Sequence, residues 1–77
     1  MTKTILELLT SIRPESRFEG SEDFLSEGLL DSYDMVMLVS ALDTAFNISI
    51  DGVDVLPEHF RNLQSIAALL RKYGVPS

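Results

Sequence analysis

Residues 28–39 read GLLDSYDMVMLV, and what this stretch does decides the fold. Two leucines lead into Asp31 and Ser32, residue types that favour helix starts because a short polar side chain can accept a hydrogen bond from an otherwise unpaired N–H. An apolar run follows. With Met35 at the centre of the buried face and about 100° per residue, Leu38, Val39, Leu42, Ala45 and Phe46 fall within about 80° of it. The stretch therefore opens a helix predicted from Asp31-Ser32 to Phe46, with either Asp31 or Ser32 as its cap. The opposite side of the same wheel carries Tyr33, Val36, Met37, Ser40 and Thr44, of which three are large and apolar. A helix apolar on two sides is either sandwiched or offers a contact surface. Because the Tyr33, Val36, Met37 cluster lies about one turn from the serine, a contact surface is expected.

Working outward, Ile5, Leu6, Leu9 and Ile12 share one helical face and predict a helix over Thr4 to Arg13, stopped by Pro14. A polar connection from Pro14 to Leu30 follows, pinned by Phe18, Phe24, Leu25, Leu29 and Leu30, and connections of this length often carry function. Beyond Phe46, NISIDGVD (47–54) turns at Asp51-Gly52 without a matching second strand, so it reads as a loop whose Ile48 and Ile50 plug the core. Pro57 suits the first position of a short helix to about Arg61. A last helix is predicted over Asn62 to Tyr73. Leu63, Ile66, Ala67, Leu70 and Tyr73 lie on one face of it, with Asn62 as cap, Arg71 and Lys72 in the final turn and Gly74 at the stop. The expected fold is all-α: a four-helix bundle of three longer helices and one short one, in a single domain over residues 1–77.

At 77 residues the chain can bury only a modest fraction of its surface, so a cleft-bearing enzyme is not expected. It has no cysteine, hence no disulfide, thiolate metal site or cysteine nucleophile, which fits a reducing compartment and leads to an expected cytoplasmic location. No stretch approaches a membrane span, and the N-terminal run is too short and too polar for a signal peptide. The net charge is -6, and its placement is uneven. Between Phe18 and Phe60 there are ten acids and no lysine or arginine. Such a surface repels nucleic acid and anionic lipid and favours encounter with a basic protein face. Acids also simply keep a small domain in solution.

The serine has few chemical options. A nucleophile needs a base, and the single histidine, His59, is 27 positions away. The Gly-x-Ser-x-Gly elbow is missing. Asp51, Gly52 and Asp54 lack calcium-loop spacing and read as a turn with solvated carboxylates. A hydroxyl in the first turn of a helix does suit a phosphodiester, because the unpaired N–H groups and the positive end of the helix dipole offset the phosphate charge.

Gly28-Leu29-Leu30-Asp31-Ser32, with Asp34 and the apolar helix after it and then Phe46-Asn47-Ile48-Ser49-Ile50, resembles the carrier-protein family: acyl carrier proteins and the related peptidyl and D-alanyl carriers. The resemblance covers nearly the whole chain. It implies that Ser32 is esterified by 4′-phosphopantetheine, donated from coenzyme A by a phosphopantetheinyl transferase with magnesium, and that the arm's thiol then holds an acyl or aminoacyl thioester. The chemistry would belong to the cofactor and to partner enzymes, namely an acyl- or aminoacyl-loading ligase and synthases or transferases. The protein itself would be a non-catalytic, monomeric carrier. Carried over by position, Asp31 precedes the attachment serine and faces the transferase, Tyr33, Asp34, Val36 and Met37 lie where partners grip, and Asp43 matches a further acidic position. Departures are Tyr33 for the usual leucine, Met37 for glutamate, Ser40 for methionine and Thr44 for an acid. The helix is thus more apolar than in the fatty-acid type and looks like that of D-alanyl and other aminoacyl carriers. A specialised acyl route is expected first, an aminoacyl carrier second and fatty-acid synthesis next, with an unmodified acidic adaptor as the reading outside the family.

Overall fold

A computed structural model describes residues 1–76; position 77, the last of the expected domain, lies outside the described residues. Three α-helices form, α1 (Thr2–Ile12), α2 (Ser32–Phe46) and α3 (Leu63–Lys72), and no strand is present among the described residues. The boundaries follow local chemistry. Asp31 caps α2 by accepting the Asp34 N–H, and Asn47 ends it in the left-handed conformation that asparagine tolerates. Asn62 caps α3 by accepting the Ser65 N–H at 2.8 Å. The α1 helix begins two residues earlier than the pattern predicts and has no side-chain cap.

The fourth, short helix expected from Pro57 to Arg61 does not form as an α-helix. Pro57–His59 is a single 3-10 turn, closed by bonds from His59 N–H to the Leu56 carbonyl and from Phe60 N–H to the Pro57 carbonyl. Phe60 ends it because its ring is wholly buried and its backbone turns out of helical geometry to place it there. A second 3-10 turn, Gly52–Asp54, starts at the expected Asp51-Gly52 corner, with Asp51 Oδ1 accepting the Val53 N–H.

The core gathers Ile5 and Leu9 from α1, Met35, Leu38 and Leu42 from α2, and Ile66, Ala67, Leu69 and Leu70 from α3, closed by Phe18, Phe24, Leu30, Ile50 and Phe60 from the connections. Ile50 is buried and Ile48 half-buried. Ala45, expected in the core, is exposed. It lies on a shallow apolar groove of 570 Å³ between α1 and α2, where Ser40, Ala41, Thr44 and Ala45 are too short to reach Leu8 and Ile12 across the gap. No helix of the described residues is long and apolar enough to cross a membrane.

Loop 47–56 is tied down by charge. Asp54, expected to be solvated, is buried: Lys72 Nζ donates to both carboxylate oxygens at 2.9 and 3.1 Å, and the Tyr73 hydroxyl donates to Oδ2 at 2.5 Å. The Tyr73 oxygen in turn accepts the Asp51 N–H at 2.8 Å. These bonds, the tyrosine's first and the lysine's second, hold the Asp54 carboxyl below its ordinary value. The same carboxylate raises Lys72 and Tyr73 above theirs. A carboxyl lowered by folding contributes stability above its unfolded value, which is lost as pH falls through the folded one. Wild type should therefore melt above Asp54→Asn at neutral pH, and the gap should close as pH is lowered below about 4. Thermal melts of both proteins from pH 7 down to 2.5 check this; a constant gap would show that the network contributes nothing through ionisation.

Candidate functional site

Three stretches of chain meet at the head of α2. The first is the α2 start itself, where Asp31 and Asp34 form a reciprocal capping box: Asp34 N–H donates to Asp31 Oδ1 at 2.9 Å, and Asp31 N–H donates to Asp34 Oδ2 at 3.2 Å. Two otherwise orphaned donors are thereby satisfied by residues three apart. The cap belongs to Asp31, not Ser32. Ser32 is the first helical residue, is exposed, and its hydroxyl makes no hydrogen bond to any described residue. As the first and second positions of the helix, the Ser32 and Tyr33 N–H groups have no intrahelical acceptor.

The second stretch is the connection before it. The Phe24 carbonyl accepts both the Leu29 and Leu30 N–H groups, while the Phe24 N–H donates to the Arg61 carbonyl at 2.6 Å. The Phe24 ring is fully buried and meets Phe18 edge-on, with centroids 5.1 Å apart. Leu30 is buried beside it, so the residue immediately before the cap is fixed from below. Gly28 takes a φ of 76°, a left-handed turn that a side chain would strain, and this aims the chain back toward α2.

The third is the end of α1. Arg13 Nη1 donates to Asp34 Oδ2 at 2.5 Å and lies 3.9 Å from Asp31 Oδ2, while Nε donates to Glu15 at 2.9 Å. In the sequence Arg13 marks only the end of a helix. No periodicity links positions 13 and 34, so nothing in the sequence could have found this contact.

The expected site residues do not all share one surface. Asp31, Ser32, Tyr33, Val36 and Met37 are exposed, the three apolar ones by 72, 62 and 40%. Asp34 is buried, its carboxylate taken up by the capping box and Arg13. Asp43 is half-buried about three turns along, where its Oδ1 accepts the Ile50 N–H at 2.9 Å and holds the following loop. His59 is half-buried in the 3-10 turn.

A pocket of 470 Å³ opens beside the serine, lined on its polar side by Arg13, Asp31 and Ser32. An exposed, unbonded hydroxyl, two free helical N–H groups and an arginine in the adjoining wall form a donor set that fits an anionic ester on Ser32. Comparison with curated proteins finds no match, and comparison with solved structures finds none either. The family model described as the phosphopantetheine attachment site matches residues 3–70. That span runs from the start of α1 to near the end of α3, and with it the chain belongs to the phosphopantetheine-attachment-site family, carriers of a covalent 4′-phosphopantetheine that work with a phosphopantetheinyl transferase and acyl-processing enzymes.

Proposed function

We propose that the 4′-phosphopantetheine of this carrier is attached to Ser32, and that the protein presents acyl intermediates as thioesters on that arm in a specialised acyl pathway. The observation that carries the reading is the exposed Ser32 hydroxyl, left free because Asp31 caps the helix. Had the serine been the cap, its oxygen would be engaged and the acidic-adaptor reading would have gained. In this proposal the chain is one carrier domain, monomeric and cytoplasmic, that catalyses nothing itself: group transfer is done by the enzymes that load and unload the arm.

Partners are proposed to grip the exposed Asp31, Tyr33, Val36 and Met37. Asp34 and Asp43 contribute to this surface indirectly, by fixing its backbone through the bonds described above. The apolar character of the face supports a specialised route over fatty-acid synthesis proper, since the three large side chains exposed there carry no charge. The same feature favours a second reading, an aminoacyl carrier of the D-alanyl or peptidyl kind. Met37→Glu tests the role of this position: it should tighten functional contact with fatty-acid synthase enzymes by about two- to fivefold in KM, the equivalent of one exposed ion pair of roughly 0.5–1 kcal/mol. An unchanged KM would remove Met37 as a specificity element.

The attachment itself is tested by incubating the apo protein with coenzyme A, magnesium and a broad-specificity phosphopantetheinyl transferase, followed by intact mass and peptide mapping. A gain of one phosphopantetheine on the peptide containing Ser32 is expected. No gain, or a gain elsewhere, would overturn the assignment. Loading with candidate acyl and aminoacyl groups then separates the two readings of the cargo.

A further inference from the structure

We propose that Arg13, at the end of α1, holds the phosphodiester of the arm once Ser32 is loaded. The inference rests on Ser32 being the attachment residue. A guanidinium presents five N–H donors in a rigid fork suited to oxyanions. Among the described residues Arg13 uses two of them, Nε–H toward Glu15 and one Nη1–H toward Asp34. Asp31 Oδ2, at 3.9 Å, is beyond hydrogen-bond distance. Three donors remain, on a side chain that lines the same 470 Å³ pocket as Ser32.

Charge points the same way. Among the described residues Arg13 is the single cation in the pocket wall, whose other members include Leu25, Met35 and Pro57, and no lysine or arginine occurs between Phe18 and Phe60. A phosphodiester on Ser32 would enter a turn that already holds Asp31 and Asp34, with Glu15 close by on the arginine. Its nearby counter-charges are the free N–H groups of the α2 start and this one guanidinium. The Asp34 side chain is only 8% exposed and keeps Arg13 fixed, whereas Glu15 is 67% exposed and forms the kind of surface pair that contributes little and exchanges readily. Arg13 is thus anchored at one edge and replaceable at the other. The arginine that joins α1 to the attachment turn becomes, in the loaded protein, a positioning residue for the root of the arm.

The test follows uniformly 15N-labelled protein through loading by coenzyme A, magnesium and the transferase, with intact mass recorded on the same sample. The Arg13 Nε–Hε signal should shift on loading while those of Arg17, Arg61 and Arg71 stay in place, and the 31P resonance of the loaded protein should move in Arg13→Gln but not in Arg17→Gln. Arg13→Lys, which keeps the charge but not the fork, should restore the wild-type 31P position only in part. A mass gain with an unmoved Arg13 signal overturns this inference and leaves the Ser32 assignment standing; absence of a mass gain overturns both. Should Arg13→Gln fail to fold, the wild-type arginine signals still decide.

Discussion

Replacing Ser32 with alanine is expected to abolish loading of the arm altogether while leaving the fold almost unchanged. The two halves of this expectation have separate physical grounds. Loading is lost because the phosphoester needs an oxygen at that position, and the neighbouring Asp31 and Asp34 carboxylates are committed to the capping box. Stability is kept because Ser32 is exposed, makes no hydrogen bond to any described residue and occupies the first helical position, where alanine is at least as good a helix former. Surface changes of this sort fall within about 0.5 kcal/mol, which for a chain of this size is roughly 2–4 °C in melting temperature. Intact mass after transferase treatment and a thermal melt of the same variant measure both. Residual loading of Ser32→Ala would place the arm elsewhere, and a large drop in melting temperature would make the serine a structural residue after all.

The largest stability effect is expected at Phe24, outside the helices. Its ring is fully buried against Phe18, and its backbone joins the α2 approach to Arg61 ahead of α3. Phe24→Ala should cost about 3–5 kcal/mol, the usual range for truncating a buried aromatic ring. A 77-residue domain has roughly 4–12 kcal/mol in all at typical values per residue. The variant should therefore denature at a much lower urea concentration with an unchanged slope. Because the Phe24 carbonyl also holds Leu29 and Leu30, the attachment turn should loosen before global unfolding, seen as faster amide exchange at residues 29–35. A midpoint shift corresponding to less than about 1 kcal/mol would mean that the connection does not close the core as the structure indicates.

Much of the helical framework was legible because its determinants are local. The apolar spacing from Met35 to Leu42 and the paired polar residues before it mark α2, whose observed span matches the expected one once Asp31 is taken as the cap. Asn62 announced α3 in the same way. Where the reading failed, a distant partner had overridden local preference. Pro57 favours a helix start, but burial of Phe60 limits the segment to one 3-10 turn. Asp54 looks like an exposed turn residue until Lys72 and Tyr73, 18 and 19 positions later, are folded against it. Ala45 falls on the inward half of the helical wheel, yet α1 approaches α2 without covering it.

The sequence by itself determined that a serine heads a largely apolar helix in an acidic, cysteine-free chain, because capping and helical periodicity act over three or four residues and are written in adjacent letters. Only the tertiary structure decided which of two neighbouring polar residues is the cap, that Asp34 turns inward to Arg13 across 21 positions, and that the serine is left free beside a pocket wall that carries an arginine. Those outcomes depend on how the end of α1 and the connection around Phe24 pack against the head of α2, and pairings of that reach follow no period along the chain.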